Sequence, residues 1–248
     1  MTKPPTKKVS KATLKKLAQV TTPTITYQLM RYRGLPNTGL RGVFPLDREL
    51  PPFAGPAFTL RYAPLREDLF DQQLMDHRHN LMTPAIEAAP EGSVFLMEAG
   101  GNQDAGLLGG NIVMRLKVRG LVAAVTDGAM RDIPEIEALG WPVCCSAVAA
   151  PASMARLMLV DVGGPVTVGG VPVFPGDVIV GDSEGVVAVP QHLAADVAEA
   201  GAAQDQLEGW VHRRLAEGHP IKGLYPPDEK SQKAYQAWLD RGAPEGET

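Results

Sequence analysis

Cysteine is nearly absent: the 248 residues hold two, Cys144 and Cys145, side by side. Zinc sites need spaced ligands and disulfide frameworks need distributed pairs, so adjacency argues against both. It leaves two structural side chains on opposite faces of a strand. No apolar run approaches the ~20 residues of a membrane span, and the first residues carry no signal-peptide core. Both absences predict a cytoplasmic protein with no membrane partner. Charge of one sign is lacking too, since 24 basic and 28 acidic residues leave a net −4. Without a clustered basic face, nucleic acid is not an expected partner. The one lysine cluster, "KPPTKKVSKATLKK", reads as a solvated tail and helix face. There is no Ser/His/Asp signature, no G-x-S-x-G and no cysteine beside a base. His77 and His79 in "DHRHN" stand two apart, on different faces of a helix, and read as solvated or capping residues. His192, His212 and His219 bring no partner pattern.

What is there suffices for a sizeable core, with 44% of residues hydrophobic. Residues 11 to 20 have helical composition, and Thr22 before Pro23 looks like the cap of a second helix that stops before Gly34. A Pro- and Gly-rich arm leads to the strand "PAFTLRY". From residue 76 helical and strand patterns alternate: "DHRHNLMTPAIEAA", "SVFLMEA", "DAGLLGGNIVMRLKVR", "LVAAVT", "IPEIEAL" and "PVCCSAV". That order predicts a parallel α/β sheet. Short β segments follow, with "DVIVGDSEGVVAV" as a hairpin, and one long helix is expected from Pro190 to Glu217. Tyr235 and Trp238 are possible anchors before a polar, frayed end. The resulting division is a helical segment and arm over 1–55, an α/β core over 56–190, and a long helix with tail over 191–248, forming a single domain overall.

Two stretches could carry chemistry. "TDGAMRD" follows the strand "LVAAVT", and ligands of open α/β sheets bind beyond the carboxyl ends of strands, where Asp127, Arg131 and Asp132 fall. A carboxylate there can hold a hard divalent ion, and a guanidinium can neutralise a substrate acid or enolate. The plainer alternative is that Asp132 caps the helix "IPEIEAL" while Arg131 pairs with a surface acid. Both roles can coexist. The second stretch, "GGNQDAGLLGGN", is a glycine-rich loop with a helix starting near Asp104, whose amides would cradle an anion. Its glycine spacing matches neither a dinucleotide fingerprint nor a P-loop, and Gly109 and Gly110 inside a helix could serve close packing alone. Glu208, as an isolated acid on the long helix, would be solvent-exposed.

"GGNIVMRLKVRGLVAAVTDGAMRDIPEIEALGWPVCCSAV" together with "GGVPVFPGDVIVGDSEGVVAVP" resembles the family that joins 4-hydroxy-4-methyl-2-oxoglutarate aldolase to the regulator of ribonuclease activity A. The resemblance runs from about Pro56 to Gly218. It implies an αββα sandwich with a swivelling β/β/α-type core, assembled as homotrimers or dimers of trimers with sites between subunits. It also implies a carbon–carbon lyase releasing pyruvate from a small 4-hydroxy-2-oxo acid and decarboxylating oxaloacetate through the same enolate. In the aldolases the Arg-Asp pair of the motif is catalytic. Matched here, Asp132 would hold Mg2+ or Mn2+ and Arg131 would stabilise the enolate. Leu107, Leu108, Gly109 and Gly110 would bind the substrate carboxylate, with Asp127 and Asp104 supporting the first residues. "LEGWVHRRLAEG" looks like the aldolase segment whose glutamate, here Glu208, reaches the adjacent subunit's site. One departure stands out: the aldolases' acidic residue 21 positions before the motif arginine falls on Gly110. Asp104 or Glu98 is the expected substitute. The departure keeps open a lyase or dehydratase acting on a 2-oxo-3-deoxy sugar acid. A non-catalytic regulator of a ribonuclease or helicase is the third reading, against which the retained Asp132 argues.

Overall fold

The computed structural model describes residues 8–68 and 81–243. His77, His79 and the opening "DHRHN" of the expected helix "DHRHNLMTPAIEAA" lie outside them.

The chain opens with α1 (Lys11–Leu17) and α2 (Thr22–Arg33). The cap of α2 is Thr21 instead of Thr22, because Asp182 takes both the Thr22 amide at 2.7 Å and its hydroxyl at 2.8 Å. Strands β1 (Phe44–Pro45) and β2 (Phe53–Pro64) follow, then α3 (Met82–Ala88), β3 (Val94–Glu98), α4 (Gly110–Val118), β4 (Ala123–Thr126), β5 (Ala129–Met130) and α5 (Ile133–Ala138). After these come β6 (Val143–Cys145), β7 (Ala147–Val148), β8 (Leu157–Val162), β9 (Val166–Val168), β10 (Val171–Val173), β11 (Val178–Gly181) and β12 (Val186–Val189). The helices α6 (Ala194–Ala216) and α7 (Glu229–Asp240) close the chain.

The main sheet has the order β1-β6-β4-β3-β2-β11-β12, with β8 also on β2. Long β2 joins two curled halves: Phe53 to Pro56 run antiparallel to β11, and Ala57 to Arg61 run parallel to β3. Alternate side chains point to opposite faces of each strand, and since both faces are covered they sort into layers. Val94, Leu96 and Cys144 face inward with Ile179, Val186 and Ala188, filling the space between the two halves. Phe95, Met97 and Cys145 face outward, under Val113 and Leu116 of α4 and Ile136 of α5. Val178, Val180, Val187 and Val189 face the other way, under α1, α2 and α6. Helix, two sheet halves and helix make the expected αββα sandwich, and the two cysteines do point to opposite faces. Burial raises both thiols, Cys145 to about 11, so neither offers a thiolate at neutral pH.

Two elements were not legible as such. β8 pairs with the C-terminal half of β2, and α7 carries Trp238, one of the two expected anchors, against Trp210, Val211 and Leu224. α6 carries 23 residues and begins at Ala194, after a short turn of 3₁₀ helix, not at Pro190. Among the described residues no helix is long and apolar enough to cross a membrane.

Candidate functional site

Three parallel strands, β3, β4 and β6, end at one edge of the sheet, and the two glycine-containing loops that follow β3 and β4 meet there. The helix expected from Asp104 does not begin there. Residues 105–108 instead run extended beside β5: the Leu107 amide donates to the Ala129 carbonyl at 2.9 Å, and the Arg131 amide donates to the Leu108 carbonyl at 3.1 Å. Gly106 bridges both Ala129 and Ala152. These pairings hold the loop open until Gly109, which becomes the N-cap of α4, with Gly110 as its first residue. Both glycines therefore stand at the helix mouth, Gly109 as its cap and Gly110 in its first position, and not in the helix interior. The side chains of Leu107 and Leu108 are buried in the core, so only backbone is left to meet a ligand. Among the described residues the Leu108 and Gly109 amides donate to no acceptor, whereas that of Leu107 is committed to Ala129.

Asp132 precedes α5 with φ 58° and ψ 43°, the left-handed region that a residue with a Cβ enters at a cost. Its side chain makes no capping hydrogen bond; only its carbonyl serves the helix, accepting from Ile136 at 3.1 Å. The expectation that the carboxylate caps the helix is thus corrected: the left-handed turn swings it away. It points instead to the mouth of α4, where Oδ2 lies 3.3 Å from the Gly110 amide and 3.5 Å from Arg131 Nε. The Arg131 and Asp132 side chains keep 36% and 42% of their surface, enough for a small ligand to reach both. A methyl group on Gly109 would collide with Asp132 Oδ2, and one on Gly106 would lie 2.7 Å from Arg131 Cβ. Both glycines make room for the pair.

The remaining acids separate. Asp127 is buried and accepts the Ala99 amide at 2.7 Å, fastening the start of the glycine-rich loop. Asp104 is exposed, with no ion pair to Arg131. Glu98 accepts the Thr167 amide at 3.0 Å and so belongs to the β9 contact. Glu208 is half-buried on α6, where Gln204 donates to it at 2.8 Å, and it shares no hydrogen bond or ion pair with Arg131 or Asp132 within the chain. One acid was missed in the sequence: Glu135, in the first turn of α5, stands directly over Gly110. No motif spacing marks it, because the contact joins two helix ends.

Burial raises the Asp127 carboxyl above the ordinary carboxylate range, against the opposing pull of backbone amides from Ala99 and neighbouring loops. A raised folded value means that the stability this group contributes is present in acid and lost as pH rises through that value. Asparagine keeps an acceptor for the Ala99 amide but never ionises. The melting temperature of Asp127→Asn relative to wild type should therefore climb between about pH 4 and about pH 7. A flat difference across that range in scanning calorimetry would contradict the assignment.

Among the described residues no three His, Cys, Asp or Glu side chains gather as a metal cluster. The accessible donor beside Arg131 is the Asp132 carboxylate. It fits a hard, water-rich cation such as Mg2+, which takes one or two carboxylates and keeps much of its hydration.

Comparison with known proteins identifies the family and the fold. The family model described as RraA-like, Aldolase/RraA, matches residues 21–188. A Halalkalibacterium halodurans protein provisionally named as a 4-hydroxy-4-methyl-2-oxoglutarate aldolase is 36% identical over 105 residues, 42% of this chain and 49% of that protein. The chain thus spans about half the length of that relative. The Thermus thermophilus protein named 4-hydroxy-4-methyl-2-oxoglutarate aldolase is 31% identical over 45% of this chain and 67% of its own. Among solved structures, Streptomyces coelicolor RraAS2, described as an unusual member of the RNase ES inhibitor RraA protein family, superposes with a TM-score of 0.74 at 29% identity. That match covers 84% of this chain and 99% of RraAS2.

Proposed function

The chain belongs to the RraA-like, aldolase/RraA family, and on that premise we propose that it is a divalent-metal-dependent carbon–carbon lyase that cleaves 4-hydroxy-2-oxo acids and decarboxylates oxaloacetate. The observation that carries this reading is the Asp132 carboxylate, freed from capping by a left-handed backbone and set beside Arg131 at the mouth of α4.

Asp132 would hold Mg2+ or Mn2+, which when bound supplies Lewis-acid polarisation of the substrate's oxo group. The free amides of Leu108 and Gly109, at the positive end of α4, would take the substrate's C1 carboxylate. In oxaloacetate the C3–C4 bond then breaks, its electron pair moves into the enolate of pyruvate, and carbon dioxide leaves. Arg131 neutralises the charge that develops on the enolate oxygen. No lysine Schiff base is needed. Cleavage of a 4-hydroxy acid also requires removal of the hydroxyl proton, for which Glu208 is the proposed base. Because Glu208 does not meet Arg131 within one chain, this role calls for a neighbouring copy, in a homotrimer or a dimer of trimers.

Oxaloacetate decarboxylation, followed as pyruvate formation, tests the reading. Turnover should require Mg2+ or Mn2+, stop with EDTA and return when the metal is restored. Arg131→Ala should lower it about 100-fold, the scale on which one oxyanion-stabilising donor acts. EDTA-resistant turnover would remove the metal from the reaction. No turnover with any 2-oxo acid would move the non-catalytic regulator reading ahead.

A further inference from the structure

Gly110 has no side chain because another residue uses that space. A Cβ built on Gly110 would lie 2.8 Å from Glu135 Cβ, 3.6 Å from Glu135 Cγ and 3.9 Å from Asp132 Cβ. The stem of Glu135 therefore lies over the Cα of Gly110 at the first turn of α4, and both acids that begin α5 border this residue. Asp132 takes its amide at 3.3 Å. Glu135 is exposed, and among the described residues its carboxylate has no hydrogen bond or ion pair. Glu98, one of the acids expected to act here, is engaged by the Thr167 amide.

An acid in the first turn of a short helix has an ordinary explanation, the attraction of the helix dipole. That explanation does not require α4 to begin with a glycine. Dipole attraction also acts on any negative charge along that turn, whereas the contact with Gly110 sets the root of this side chain beside the same helix mouth as Asp132.

On the basis of the proposed metal-dependent reading, we infer that Glu135 is a positioning residue of the site, a second carboxylate that orients water on the cation held by Asp132. One carboxylate fixes a hydrated cation loosely, since most of its ligands are then free waters. A second, reaching those waters from the next helix turn, restricts their arrangement. Groups of this kind change metal affinity by roughly 10- to 100-fold.

The test is Mn2+ binding to the metal-free full chain, read from the electron paramagnetic resonance of free Mn2+, with melting temperatures measured in parallel. Glu135→Gln should weaken Mn2+ about ten-fold or more without lowering the melting temperature, and Glu135→Asp should recover part of the loss. A relocated carboxylate, Gly110→Glu with Glu135→Gly, should bind within about three-fold of wild type, and Glu135→Asp decides the matter if that double variant fails to fold. Asp132→Asn should abolish binding. If it does and Glu135→Gln still binds Mn2+ like wild type, Glu135 is a surface acid and the inference falls alone. If Asp132→Asn binds as wild type does, the metal reading falls and this inference with it.

Discussion

Asp132→Gly is expected to lower turnover by about 1,000-fold and yet to be more stable than Asp132→Ala by about 1 kcal/mol. The loss of activity follows from removing the carboxylate proposed to hold the cation; Lewis-acid stabilisation is worth several kcal/mol, and about 4 kcal/mol corresponds to three powers of ten. The order of stabilities follows from the backbone. At φ 58° a Cβ meets the following carbonyl, a cost of about 1–2 kcal/mol that glycine escapes. Alanine retains the strain and loses the local partners that make an aspartate tolerable there. Those partners are weak: a part-exposed ion pair at 3.5 Å and a long hydrogen bond at 3.3 Å. Removing them changes little, so the backbone term decides the sign. For a chain of this size the difference amounts to about 2–4 °C in melting temperature. Asp132→Ala melting at or above Asp132→Gly would show that the left-handed turn is not a cost. Turnover surviving in either variant would show that Asp132 is not the ligand.

Such a residue is strained for the sake of where it aims its side chain, and nothing in "TDGAMRD" announces the strain. The types and order of residues there did mark a ligand edge, because an apolar strand must end before a polar loop begins. Continuous apolar runs were equally informative in β3 and in the β11–β12 hairpin, whose odd and even positions enter different cores. Legibility failed where contacts across the chain override local pattern. Gly106 to Leu108 have apolar spacing that suits a helix, but pairing with Ala129 and Arg131 holds them extended. "LMLVDV" lacks clean alternation because β8 lies half-buried on the edge of β2. α7 has a polar sequence with two aromatic anchors, and it is helical because Asp228 caps it, accepting from Ser231 at 2.8 Å, and Trp238 finds the C-terminal cluster. Glu135 was hidden for the same reason, since its neighbour Gly110 is 25 positions away in sequence.

Leu108→Ala should cost about 2–5 kcal/mol and lower the melting temperature by about 5–15 °C, the largest stability effect expected for any residue of the site. Leu108 is 1% exposed and shares a cluster with Val113, Leu116, Met130 and Ile136, so truncation leaves a cavity between α4, α5 and the sheet. Its backbone works separately from its side chain. The carbonyl fixes the Arg131 amide at 3.1 Å, and the amide is the one proposed to receive a substrate carboxylate. Leu108→Met keeps the volume and should cost less than about 1.5 kcal/mol with near wild-type turnover. Leu108→Ala, assayed well below its melting point, should raise KM more than it lowers kcat, because the loop that presents the amide loosens while Asp132 and Arg131 stay in place. An unchanged melting temperature for Leu108→Ala would mean that the loop does not rest on this side chain. A fall in kcat with KM unchanged would mean instead that Leu108 acts on Arg131 through its carbonyl and has no part in binding, which would move the substrate carboxylate from the Leu108 amide to that of Gly109.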